Sequence, residues 1–403
     1  MQRYVTMTLG IAALTTGCTS QRPLEPASRE QPTADITSVL SPYSPPADLG
    51  TLGGSTSLAN AINNRDDIVG ESKLATGETH AFLYSGGAMQ DLGTLGGDYS
   101  SGADVNSTGQ VAGISRTADG VLHAFRWDGA TMVDLGPASS GPVSMNDDGK
   151  VMWTGINENA ATHAFVWDGS VHDLGTLGGS WSQAQALSEV GWVAGVSEVA
   201  PGSGLVHAFL WDGEAMTDLE SMGTPGVAAF NSAGQAAGAY STSFSPGPAS
   251  QHAILWDGGR MSDLGYLPGD QNAFAVAIND SGQVAGNSYT DIGYTDSHPF
   301  RWQAGVMIPL NPTYRNQGNV SEQAVAMNGS GVVAGKRYEF LNGGRYHAMI
   351  WDNGMVWDLG TLTPDSTQAS SWATAINDRG TVAGQSNGRA VIWRRSNVLA
   401  VAP

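Results

Sequence analysis

Seven of the eight histidines in this chain occupy one recurring position: His80, His123, His163, His207, His252, His298 and His347. The first four open the tripeptide His-Ala-Phe. A histidine near carboxylates is the usual equipment for proton transfer or metal ligation. Such chemistry needs several of these side chains to converge. Equivalent positions of a repeat lie on a ring, so they meet only if that ring is the innermost one. The simpler reading is structural: each imidazole ties its strand to a neighbour by hydrogen bonds. The aspartates of the recurring Trp-Asp-Gly and Asp-Leu-Gly tripeptides read the same way, as turn formers and strand-end acceptors. No zinc-type histidine pair, calcium loop, nucleotide loop or Gly-x-Ser-x-Gly elbow is present. Asp291, Asp296, Glu322 and Glu339 are the off-repeat acids from which a paired-carboxylate polysaccharide hydrolase or lyase would have to be built. No catalytic constellation emerges, so the expectation is a protein that is not an enzyme and takes neither cofactor nor metal.

Aromatic residues carry the other candidate chemistry. Where the repeats differ from one another, the later ones gain rings: Tyr240 and Phe244, then Tyr289 and Tyr294, then Tyr338, Phe340 and Tyr346, with Tyr314 in a connection between units. Tyr99, Trp181 and Trp372 fall in similar connections elsewhere. Clustered exposed rings mark surfaces that bind a protein partner or sugar rings. The competing reading is that they fold back onto the scaffold, since single surface aromatics are common.

The elements that position these residues follow from the repeat itself. Eight tandem units, each of roughly 40–50 residues, run from about residue 48 to the end, a period that signals an array of stacked units. In the sixth unit, Asn272–Ile278 is an apolar strand-like run and Asn279-Asp-Ser-Gly282 a turn. Gln283–Ser288 gives a second strand, His298–Trp302 a third and Val306–Leu310 a fourth. Third strands such as Ala208-Phe-Leu-Trp211 are continuously apolar, which argues burial on both faces. The expected fold is all-β: a β-propeller of about eight four-stranded antiparallel blades, with a seven-bladed propeller or an open β-solenoid as alternatives. Ring closure has two candidates, the segment at Asp48-Leu-Gly50 and the one at Asn397–Val401, either of which can serve as a fourth strand. Tight turns gather at one end of every unit and long, variable loops at the other, and function favours loops on a rigid scaffold.

His-Ala-Phe-Leu-Trp, the continuation Asp-Leu-Gly-Thr-Leu-Gly-Gly at 48–54, 91–97 and 173–179, and the Ile-Asn…Gly-x-Val-x-Gly hairpin resemble the HAF-type extracellular repeat family of bacteria. The resemblance covers about 350 residues, nearly all of the chain beyond its N-terminus. It implies an exported or cell-surface protein and carries no established activity. The Trp-Asp dipeptides are similar to those of WD-repeat propellers, but the histidine precedes the tryptophan by only four residues, which is not that family's spacing.

The N-terminus agrees with export. Arg3, an apolar stretch from Tyr4 to Leu14 and the sequence Thr15-Thr-Gly-Cys18 read as a lipoprotein-type signal peptide over residues 1–18, with Cys18, the sole cysteine, as the lipidated residue. Residues 19–46, with six prolines, read as a flexible tether, and residues 47–403 as the repeat domain. The expected location is the cell envelope, anchored by lipid at the outer membrane or cell surface, with secretion as the alternative. A net charge of −19 argues against nucleic-acid partners. Membrane contact is expected only through the lipid, and the partner to be an unidentified protein or carbohydrate; the alternatives are the hydrolase or lyase above and a purely structural envelope protein.

Overall fold

The computed structural model describes residues 41–396, except 140, 220–223, 242–249, 291–295, 314–319, 341–343, 365 and 367. Among these residues the chain is entirely β, and it forms eight antiparallel meanders of four strands each. Blade six has strands Asn272–Ile278, Val284–Tyr289, Ser297–Gln303 and Val306–Pro309, within one residue of the expected boundaries. The third strands are buried on both faces: Ala81, Phe82, Ala124, Phe125, Ala208 and Phe209 are all fully enclosed. Each core cluster joins two successive blades. Ala112, Ala124 and Leu135 of blade two, for example, pack against Val151, Trp153 and Phe165 of blade three.

First strands carry a feature that alternation of side chains does not encode. In seven blades one residue is left unopposed in the ladder, as between Ala184 and Ala186 in blade four or Ala373 and Ala375 in blade eight. This β-bulge increases the local twist where the strands crowd the axis. Blade three, whose first strand is only Ser144–Met145, lacks it. Opposite the bulge, the second strand of each of these seven blades has glycine, as in Val193-Ala-Gly195 and Val284-Ala-Gly286, whereas blade three, without a bulge, has Trp153 there. A Cβ on Gly195 would lie 1.9 Å from the Gln183 carbonyl oxygen and 2.8 Å from the Phe209 ring; one on Gly286 would lie 2.2 Å from the Phe274 carbonyl oxygen. The glycine is a steric requirement of the bulge.

The turn asparagines do more than turn the chain. Asn63 Oδ1 accepts the amides of Arg65 and Asp67 within its own hairpin, while its Nδ2 donates 2.8 Å to the Asn106 carbonyl of the next blade. Asn106, Asn146, Asn231, Asn279, Asn328 and Asn377 repeat the link, and Asn377 donates 2.9 Å back to the Asn63 carbonyl. These amides belt the ring, interrupted at blade four where Ser188 stands in place of asparagine.

The N-terminal segment closes the ring. Ala47–Asp48 pairs antiparallel with Arg389–Trp393 and supplies the fourth strand of blade eight, so the candidate at Asp48-Leu-Gly50 is the one used. The other candidate, Asn397–Val401, lies outside the described residues. Tyr43 bridges to Arg395 and, like Leu49, is buried. Residues 43–46, read from the sequence as tether, therefore belong to the propeller: Tyr43 finds an apolar pocket against Trp393 that proline content could not reveal. Residues 19–40 of the tether, together with Cys18 and the signal segment, fall outside the described residues.

Candidate functional site

The recurring histidines sit on third strands, remote from the axis, and do not converge. In six blades the imidazole Nδ1 meets the Asp-Leu aspartate of the fourth strand next to it: His80 with Asp91 at 2.8 Å, His123 with Asp134 at 2.8 Å, His163 with Asp173 at 2.6 Å, His207 with Asp218 at 2.9 Å, His252 with Asp263 at 2.8 Å and His347 with Asp358 at 2.7 Å. Most of these carboxylates also accept the amide of the glycine two residues on, as Asp91 does from Gly93. Blade six has Pro309 where the aspartate should be, and His298 turns instead to Asp270 at 3.2 Å and Asp296 at 3.2 Å. In blade eight Arg389 replaces the histidine and reaches Asp48.

The His347–Asp358 pair shows the electrostatics of the motif. The hydrogen bond to Asp358 raises the imidazole above its ordinary value, against the lowering effect of burial. Burial by itself pushes the Asp358 carboxyl up, but hydrogen bonds from His347 and the Gly360 amide outweigh it and hold it below the usual carboxylate range. A raised imidazole stabilises the fold below its unfolded value and loses that contribution as pH rises through the folded one; a depressed carboxylate stabilises above its unfolded value and loses it on acidification. The pair should therefore contribute most in weak acid. In a double-mutant cycle with His347→Gln and Asp358→Asn, the coupling energy should be larger near about pH 5.5 than near about pH 8.5.

The aromatic candidates divide into three groups. Phe244, Tyr294 and Tyr314 lie outside the described residues. Tyr240 and Tyr289, expected in loops, end second strands and are buried, Tyr289 to 1 % exposure. Tyr240 stacks on His252 with centroids 5.2 Å apart, and the Tyr289 hydroxyl bonds Gln251 of the preceding blade. Tyr240 also packs into the core that joins blades four and five, so both rings serve the scaffold. Tyr99 also lies on a first strand, with its hydroxyl donating 2.9 Å to Glu71 and Arg116 over its ring. Trp181 is half-buried before its strand, and its carbonyl accepts the Ser197 hydroxyl at 3.1 Å.

The remaining four converge. Tyr338, at the end of the second strand Val333–Glu339, pairs directly with Tyr346 at the start of the third strand Arg345–Asp352. Their rings lie 4.8 Å apart; Phe340 stands perpendicular to Tyr338 at 4.8 Å, and Trp372 of blade eight meets Tyr346 edge-on at 6.0 Å. Phe340 is 41 % exposed and Tyr346 37 %. Trp372 belongs to a first strand, Ser371–Ile376, and not to a connection. Sequence reading missed Lys336 altogether. Its ammonium lies 5.3 Å from the Tyr346 ring centroid, and burial lowers its pKa from the ordinary lysine value. The signal was available, because Lys336 holds a position that is Glu, Ile, Thr, Val, Ala, Asn or Gln in the other units.

The off-repeat acids do not form a free pair. Glu322 is held by Arg337 at 2.7 Å and Asn311 at 3.0 Å, Glu339 faces Arg345 at 3.6 Å, and Asp296 faces His298. Asp291 lies outside the described residues. The axial mouth on the tight-turn face encloses about 330 Å³ and carries Asp147, Glu189, Asp280 and Asp378. These carboxylates accept backbone amides of neighbouring blades, as Asp147 does from Ser107 and Asp280 from Ser232, and so form a second belt. A hollow of about 440 Å³ between blades five and six is lined by Gly226, Ala228, Ala239, Gln251 and Phe274.

No protein-family model matches the chain, and no curated protein matches it. Among solved structures it is similar to the β-propeller domain of the trilobed protease from Pyrococcus furiosus, an open velcro propeller, at 9 % identity and TM-score 0.52, covering 77 % of this chain and 97 % of that one. It also matches the acylaminoacyl peptidase of Pyrococcus horikoshii at 11 % identity and TM-score 0.45, over 78 % of this chain and 54 % of that one, and TolB from Acinetobacter baumannii at 12 % and 0.34, over 60 % and 62 %. The first of these likenesses establishes the propeller fold and nothing finer.

Proposed function

We propose that this protein is an exported, lipid-anchored propeller that captures a saccharide chain, without chemically altering it, on the aromatic surface shared by blades seven and eight. The observation that carries this reading is the contiguous cluster of Tyr338, Phe340, Tyr346 and Trp372, two of whose rings stand well exposed on the loop face. Sugar rings present apolar C–H faces that lie against such rings, and their hydroxyls need polar neighbours. Ser370, Thr363 and Asn387 border the cluster with such groups: the Tyr346 amide donates to the Ser370 hydroxyl, and Asn387 bonds both the Ser370 amide and the Thr363 hydroxyl. A protein-binding hot spot would sit at the centre of a wider apolar patch. A hydrolase reading has less support, because Glu322, Glu339 and Asp296 already have cationic or imidazole partners.

The test is a glycan array followed by titration of whatever is captured. Phe340→Ala and Tyr346→Ala should each weaken capture about tenfold, about 1.4 kcal/mol. Because both rings are substantially exposed, each substitution should leave the melting temperature within about 2 °C. Capture that persists at full strength in both variants would remove the site.

A further inference from the structure

Blade eight is a notch in the loop face. Its second and third strands, Val382–Ser386 and Arg389–Trp393, are joined by the two-residue turn Asn387-Gly388, whereas the other blades carry longer connections there, from 75–78 in blade one to 242–250 in blade five. On one flank of the notch stands the aromatic cluster with Lys336. On the other is a hollow of about 260 Å³ lined by Thr56, Leu58, Glu71, Lys73, Thr79 and Gln385. Trp372, which touches Tyr346, is paired in the ladder with Gln385, which lines the hollow. The two flanks are thus joined across the first two strands of blade eight.

The charges along this path are unusual for the molecule. The chain has only three lysines within a net charge of −19, and two of them, Lys73 and Lys336, stand on either side of the notch. Among the described residues neither has a carboxylate within ion-pair distance, although the neighbouring Arg337 and Arg345 are paired with Glu322 and Glu339. Glu71, the acid of the hollow, accepts the Tyr99 hydroxyl. A lysine left unpaired on an acidic protein, beside exposed rings, is matched by an anionic group on whatever lies against those rings.

Resting on the saccharide reading above, we infer that the notch over blade eight takes an extended anionic saccharide chain, one of whose acidic groups pairs with Lys336 while its rings lie on Tyr346 and Trp372, and whose continuation reaches the hollow beside Lys73. The shared chemistry is a pyranose bearing a carboxylate or a sulfate ester. Partial burial of the Lys336 ammonium strengthens such a pair, because less water competes for it.

The experiment titrates three oligosaccharides of equal length, one built of uronic acids, one sulfated and one neutral, against the wild-type protein, Lys336→Met and Lys336→Arg. The expected result is preferential binding of one or both anionic chains, weakened by added salt. Lys336→Met should lose about tenfold towards the anionic chain and nothing towards the neutral one, and Lys336→Arg should restore most of the loss. Preference for the uronate or for the sulfated chain identifies the acidic group and supports the inference either way. Equal binding of neutral and anionic chains, unmoved by Lys336→Met but lost in Tyr346→Ala, would overturn the charge assignment and leave saccharide capture standing. Failure of all three chains to bind would overturn both.

Discussion

Removing residues 41–49 should cost the propeller about 4 kcal/mol or more, since two buried apolar side chains leave the core at about 1.5–3 kcal/mol each. Those side chains are Tyr43 and Leu49, which pack against the clusters containing Trp393 and Ile392. With them go the Ala47–Ile392 and Asp48–Val391 pairings, the Leu49 amide bond to the Ala390 carbonyl and the Arg389–Asp48 ion pair. The loss also leaves Arg389–Trp393 as an uncovered edge, and an uncovered edge strand pairs with whatever chain it meets. Chemical denaturation should show the lowered stability and light scattering the self-association. A truncated chain as stable and as monomeric as one beginning at Ser41 would mean that the asparagine belt, with Asn377 bonded to Asn63, holds the ring closed without the N-terminal strand.

Gly195→Ala should have an effect of similar size at a single methyl group. Its Cβ would sit 1.9 Å from the Gln183 carbonyl oxygen, with the Phe209 ring 2.8 Å away on the other side, so neither neighbour offers room. Relief requires opening the bulge in the first strand of blade four or displacing a fully buried phenylalanine. The expected loss is about 3 kcal/mol, at the top of the range for overpacking because the obstacle is backbone. Gly226→Ala is the matched control: its added methyl would meet nothing within 4 Å, and its backbone angle is an ordinary one. That change should stay within about 0.5 kcal/mol of wild type. Equal losses at both positions would show that chain flexibility, and not the bulge, sets the requirement for glycine.

These two effects also mark how far the sequence could be read. Apolar runs punctuated by the Asn279-Asp-Ser-Gly282 turn and a second Gly-containing turn located every strand of blade six to within a residue, because period and turn chemistry are local properties. The Val-x-Gly glycine was visible as a small residue, but its reason was not, since the bulge it accommodates is a register shift between two strands. The belt was hidden in the same way: an asparagine at a turn looks sufficient for the turn, and its second bond goes to the next blade. Tyr289 was misplaced because one more residue of strand turns a loop tyrosine into a buried one, and its acceptor, Gln251, lies in another unit. The aromatic cluster was half legible. Tyr338, Phe340 and Tyr346 stood out as departures from the repeat, whereas Trp372 joins them only through the packing of blade eight against blade seven. Lys336 carries no periodic signal, and its place over the Tyr346 ring follows only from the pairing of the second and third strands of blade seven.

Fluorotyrosine labelling of the protein, read by fluorine NMR during titration with the captured saccharide, tests the central claim most directly. The resonances of Tyr338 and Tyr346, assigned by single Tyr→Phe substitutions, should shift saturably with the same affinity as binding, while that of the buried Tyr289 stays in place. Saturable binding that leaves Tyr346 unmoved would contradict the account and put the ligand elsewhere on the ring.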